Sequence, residues 1–175
     1  MTRFWVMNAC TPARAYRVES YRSSGVVAAD LATQLRCYFV ARARFPEGAS
    51  DAASARDIRR VSDVVFLSKA SPNTLEIYAR VMCAVLDRTG PVIEMHEPGG
   101  AGPAARRLVI GYRQGSTQNF FSALPDLYHY YGFFSTSKYV ESFANGVTIV
   151  CAYLAQVPGA AAPPVEAALV QIMRE

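Results

Sequence analysis

The chain has 175 residues, 51% of them hydrophobic and 18% charged, and its 18 basic and 14 acidic residues leave a net charge of +4. That length and balance fit one globular domain with a real core; they exclude wholesale disorder, and no apolar run approaches the ~20 residues of a membrane helix. The basic residues, all arginine but for Lys69 and Lys138, are scattered from Arg3 to Arg174, which fits a solvated surface and not a concentrated nucleic-acid face.

Residues 1–13 form an N-terminal extension. Arg3 and Arg14 precede the first acid, Glu19, faintly like a mitochondrial presequence, and no apolar stretch here suits secretion. An intracellular protein, cytoplasmic or mitochondrial, is expected. The domain proper is read as residues 14–157. Tyr16 to Arg22 alternates as a short strand, broken by Ser23-Ser24-Gly25. Gln34 to Phe45 is the next strand, with Leu35, Cys37, Phe39, Ala41, Ala43 and Phe45 on one face and Arg36, Arg42 and Arg44 on a wet one.

Pro46 to Arg60 is rich in Ala, Ser, Gly, Asp and Arg without an apolar period, and is read as a loop insertion. Val64 to Leu67 adds a short apolar stretch. A helix then starts at Ser71-Pro72-Asn73-Thr74-Leu75-Glu76, either through an Asn73/Glu76 capping box or with Ser71 as cap and Pro72 in the first turn. It buries Leu75, Tyr78, Met82, Val85 and Leu86 and stops at Gly90. Pro91 to Met95 is a strand, Pro98 to Pro103 a reversal, and Arg107 to Arg113 the returning strand.

Thr117 to Tyr131 has the stripe of a second helix, interrupted by Pro125, whose cost inside a helix is ~3 kcal/mol. Lys138 to Ala144 and Val147 to Leu154 are strands joined at Asn145-Gly146, a dipeptide suited to the positive φ of a tight hairpin. Pro158 onward is a linker, and Val165 to Met173 begins a helix that ends after about two turns, so the native chain is expected to continue (residues 158–175). The order β-β-α-β-β-α-β-β points to an α+β fold: a ferredoxin-like antiparallel sheet with two helices on one face, plus extra strands.

Few residues carry chemistry. Gly100-Ala101-Gly102-Pro103-Ala104-Ala105 matches a dinucleotide-loop pattern, but a strand follows it where a helix is needed, so a hairpin loop is the reading. His129 among aromatics reads as a packing histidine, and Ser135-Thr136-Ser137 as a turn or cap. Cys10, Cys37, Cys83 and Cys151 show no metal spacing with His96 or His129 and are expected to be buried free thiols. Tyr131-Gly132-Phe133-Phe134 has the look of an RNA-recognition strand but falls at a helix end. No catalytic, cofactor-binding or metal-binding residue is assigned. The helix start offers N–H groups to a carboxylate, making Asn73 and Thr74 the effector-site candidates, in keeping with a small-ligand (amino-acid) binding module.

Five segments carry a family resemblance: Tyr16 to Gly25 (YRVESYRSSG), Phe66 to Glu94 (FLSKASPNTLEIYARVMCAVLDRTGPVIE), Val109 to Ser116 (VIGYRQGS), Tyr128 to Leu154 (YHYYGFFSTSKYVESFANGVTIVCAYL) and the tail from Pro163. In this order they resemble the amino-terminal, non-catalytic half of the large NAD-specific glutamate dehydrogenases of fungi and related eukaryotes. The resemblance implies an ACT-like regulatory region ahead of the catalytic part, with NAD bound by the parent enzyme and no cofactor in this chain. The family's substrate-activating lysine and nucleotide loop belong downstream; Lys69 and Lys138 lie in the regulatory segments. The partners implied are the rest of the dehydrogenase chain, further copies in a homo-oligomer, and a small-molecule effector. The aromatic density at Tyr128, Tyr130, Tyr131, Phe133 and Phe134 fits such an interface.

Overall fold

The computed structural model describes residues 15–22, 36–97, 106–116, 124 and 127–157. Its frame is a six-stranded, wholly antiparallel sheet of β1 (Tyr16–Arg22), β2 (Arg36–Arg42), β3 (Val92–His96), β4 (Arg106–Arg113), β5 (Phe133–Ser142) and β6 (Val147–Gln156), in the order β2-β1-β5-β6-β4-β3. Between β2 and β3 run a 3-10 turn (Ala52–Ser54) and three helices, α1 (Ile58–Val61), α2 (Val64–Lys69) and α3 (Pro72–Leu86). The α+β class is as read from the sequence.

The sheet is covered on both sides. β4 and β6 are buried at nearly every position, because their sequences, RLVIGY and VTIVCA, are apolar on both faces and each face needs its own cover. On one face Val109, Ile149 and Cys151 pack under α1, α2 and α3; on the other Leu108, Ile110, Val150 and Leu154 pack with Leu124 and Tyr128 of the next helical segment. The expectation of two helices on one face is therefore corrected: they lie on opposite faces. The strand order also departs from the ferredoxin-like reading. β2, which precedes the helices in the chain, forms an outer edge of the sheet; the place beside β4 that a split β-α-β would give it is filled by β6.

α3 is capped by Ser71, whose Oγ accepts from Thr74 N at 3.2 Å, with Pro72 in the first turn; the Asn73/Glu76 box does not form the cap. A cap of this kind contributes ~1 kcal/mol. The buried face of Ile77, Tyr78, Val81, Met82 and Val85 stabilises the helix more, each side chain by roughly 1.5–3 kcal/mol on transfer from water. Leu75 and Leu86, expected in the core, are only partly buried.

The loop insertion expected at 46–60 is structured. Asp57 caps α1 by accepting from Arg59 N, and Asp63 caps α2 by accepting from Val65 N and Phe66 N. Ile58, Val61 and Phe66 enter the core. The segment is also fastened to the β5–β6 turn, where Asn145 Nδ2 donates to Ala55 O (2.7 Å) and Ala144 N to Val61 O (2.9 Å). That turn carries the expected hairpin reversal, with Gly146 at φ +80°. Ser135-Thr136-Ser137, read as a turn or cap, lies inside β5 at a bulge that leaves Thr136 without a cross-strand partner.

Several readings fall elsewhere than expected. β2 is exposed on both faces, not one, because nothing described packs on this edge. Cys37, on β2, is exposed where a buried thiol was expected, while Cys83 is half-buried and Cys151 buried; all three are free. His129 is exposed and so is no packing histidine. The Gly100 loop, most of the second helix, Cys10 and the 158–175 tail lie outside the described residues; the flanks of the Gly100 loop, β3 and β4, pair antiparallel as in a hairpin.

The tightest helix–sheet contact at a glycine is at Gly111. A Cβ there would stand 2.5 Å from Val81 Cγ1 and 2.9 Å from Val85 Cγ2. Gly111→Ala is expected to destabilise the fold by about 1–3 kcal/mol, read as a lower urea midpoint, by forcing α3 off the sheet. A double variant that also trims Val81 to Ala should recover part of the loss.

Candidate functional site

A cleft of about 310 Å³ opens between the α-covered face of the sheet and the junction of α2 and α3. Its floor comes from alternate residues of four strands: Arg17 and Glu19 of β1, Tyr139 and Glu141 of β5, Cys151 and Tyr153 of β6, and Arg107 of β4. The roof is Phe66, Lys69, Ser71, Thr74 and Tyr78. Strand alternation explains the floor, since Glu19 pairs with Tyr139, Tyr139 with Cys151, and Arg107 with Tyr153, so all point the same way.

The charges divide into satisfied and unsatisfied groups. Glu19 accepts from Tyr21 Oη (2.9 Å) and Lys69 Nζ (3.3 Å) and lies 3.7 Å from Arg17. Burial pushes its carboxyl up, but these partners outweigh burial and hold it below the usual carboxylate range. Arg17 also stands 3.7 Å from Asp63, the α2 cap, which in turn accepts from Arg44 N.

Arg107 differs. It is 5% exposed, and its neighbours are neutral: Nε donates to Cys151 Sγ (3.2 Å), Nη2 to Thr74 Oγ1 (3.3 Å), and the guanidinium lies over the rings of Tyr78 and Tyr153. Among the described residues no carboxylate forms an ion pair with it. A guanidinium keeps its charge when buried, so this corner of the cleft holds an uncompensated positive charge next to the first turn of α3. Burial pushes the Cys151 thiol up, so Cys151 is a neutral packing group and not a nucleophile.

Glu141 is 5% exposed and burial pushes its carboxyl up to about 9. At neutral pH it is a protonated acid. The cleft thus presents a buried guanidinium with no ion-pair partner among the described residues, a neutral carboxylic acid and a set of hydroxyls, which suits a small anion. Among the described residues no group of three or more His, Cys, Asp and Glu side chains could hold a metal ion.

Of the two residues singled out from the sequence, Thr74 lines the cleft and touches Arg107; Asn73 is exposed and takes no part. Arg107 and Glu141 were missed. No local pattern marks them: Arg107 follows Arg106, and Glu141 precedes Ser142.

Residues 5–175 match the family model described as NAD-specific glutamate dehydrogenase, second domain. The chain belongs to this family. It is 40% identical over 167 residues to the NAD-specific glutamate dehydrogenase of Neurospora crassa, covering 93% of the chain and 16% of that protein. Against the probable NAD-specific glutamate dehydrogenase of Schizosaccharomyces pombe it is 43% identical over 145 residues, 80% of the chain and 13% of the relative. Glutamate dehydrogenase 2 of Dictyostelium discoideum is 37% identical over 152 residues, 82% of the chain and 14% of the relative. The chain therefore spans less than a fifth of the length of these curated relatives. No solved structure matches. Among the described residues no helix is long and apolar enough to cross a membrane.

The buried acid gives a pH signature. Glu141 keeps its proton in the folded chain up to about 9, whereas the unfolded chain releases it near the ordinary 4.5. Its contribution to stability is full below 4.5 and is lost as pH rises towards 9. Glu141→Gln, which keeps shape and neutrality, is expected to flatten the fall of the urea midpoint between about pH 5 and 8. An unchanged slope would mean that Glu141 ionises normally.

Proposed function

We propose that residues 14–157 are a non-catalytic regulatory and subunit-contact unit of an NAD-dependent glutamate dehydrogenase. The whole enzyme would oxidise L-glutamate with NAD to 2-oxoglutarate, ammonia and NADH, with NAD and the catalytic groups held by the rest of the polypeptide. The observation that carries the regulatory reading is Arg107: a buried guanidinium without a carboxylate among the described residues, at the back of a cleft beneath a helix start. A small carboxylate effector would supply the missing charge, and Thr74 and the tyrosines would orient it.

The subunit-contact reading rests on other residues. β2 pairs only with β1 among the described strands, and Phe39 and Val40 are 60% and 52% exposed on it. Tyr130 stands 82% exposed at the opposite helical segment. An apolar free edge of this kind is a pairing surface.

Calorimetric titration of the full chain with L-glutamate and with 2-oxoglutarate tests the effector site. A saturable heat with one of them is expected, weakened at least ~10-fold by Arg107→Gln, in line with losing a charge-assisted pair. Absence of saturable heat with both would overturn the effector reading. NADH formation by the chain alone would overturn the non-catalytic one. In sedimentation the full-length dehydrogenase carrying Phe39→Glu is expected to form a smaller assembly than the unaltered enzyme.

A further inference from the structure

The other face of the sheet holds a second charged site, independent of the cleft and of its proposed effector. Lys138 is 8% exposed, yet it forms no ion pair or hydrogen bond with any described residue. Its strand position sets it opposite Ser20 of β1 and Ala152 of β6, and its Nζ lies 5.7 Å from the ring centre of Tyr128. It opens into a cleft of about 270 Å³ with Arg36, Tyr38, Tyr128, His129 and Ser135. No acidic residue lines it among those described.

Arg36 is fixed there by donating Nη1 to Ser20 Oγ (3.1 Å) and Nη2 to Ser135 O (2.5 Å). Two cations are thus held together with no counter-charge among the described residues. Burial, with Arg36 nearby, lowers the Lys138 ammonium to about 8, so at neutral pH it remains mostly charged. Such an arrangement is unfavourable in the empty protein and becomes favourable when an anion enters. Ser135 Oγ and Tyr128 Oη, hydrogen-bonded to each other at 3.0 Å, add polar hydroxyl surface from a third side.

We propose that this cleft is a binding site for a phosphate group, carried by a small phosphomonoester or free in solution. A phosphate dianion meets both fixed charges, whereas a single carboxylate would neutralise one. The remaining space, larger than the phosphate itself, is walled by the rings of Tyr38, Tyr128 and Phe134, which suits an organic group on the ester.

The test uses the full chain with inorganic phosphate and with phenyl phosphate, against chloride at matched ionic strength. Phosphate is expected to raise the melting temperature by at least ~2 °C, on the linkage of ligand binding to stability. Lys138→Met should abolish that rise, and Arg59→Met, which removes the same charge from an exposed position outside both clefts, should keep it. In the unaltered chain, the Lys138 Cε resonance should titrate near about 8 without phosphate and at least one pH unit higher with it. Tighter binding of phenyl phosphate would assign an organic phosphomonoester; equal binding would assign the free anion. A phosphate response that survives Lys138→Met, or a Lys138 midpoint that phosphate leaves in place, would overturn the proposal.

Discussion

Every other placement in this fold depends on β6 being enclosed. The strand is hydrogen-bonded to β4 along one edge and to β5 along the other, and its apolar side chains enter both cores. A strand hidden on four sides needs helices above and below, and it needs the helix above to come close. Gly111, on the neighbouring β4, supplies that closeness, because there Val81 and Val85 descend to the backbone. The junction of α2 and α3 is thereby held over the far end of the same face, leaving the gap that forms the Arg107 cleft.

The two clefts share one electrostatic theme. On β1, charges meet partners: Glu19 has Lys69 and Tyr21, and Arg17 has Glu19 and Asp63. Arg107, Lys138 and Glu141, on β4 and β5, form no ion pair among the described residues. Burying a charge without a partner costs several kcal/mol, and an apolar residue at the same position would avoid that cost. A fold that keeps two such cations, and a carboxyl that escapes the cost by holding its proton, accepts lower stability in exchange for polarity directed into open space.

Much of this was legible in the sequence. The strands around Val147 to Leu154 and Arg107 to Arg113, the Asn145-Gly146 reversal and the α3 start follow from apolar runs and turn residues. The continuous apolar run of β6 also carried the information that both faces need cover, which is at odds with two helices on one face. α1 and α2 were hidden because helices of one or two turns are too short to show a period; their legible mark was the cap aspartates, Asp57 and Asp63. For the cleft, Thr74 could be named from its place at the helix start. Arg107 and Glu141 could not, because their burial depends on strand order, and pairing between distant strands leaves no local trace.

The bulge at Thr136 has a consequence for how the chain can change length. Ser135 shares a face with Lys138 because one unpaired residue intervenes; with uninterrupted alternation, Ser135 and Lys138 would lie on opposite sides. Thr136 works as a frame-setting insertion. Losing that single residue would leave Ser135 and Lys138 two positions apart, still on one face, so Phe133 and Ser135 would keep their sides while the bulge disappears. Loss of Thr136 is therefore the one-residue change in length that this stretch can take with its two sides unchanged, whereas removing a paired residue of β5 would turn inward side chains outward.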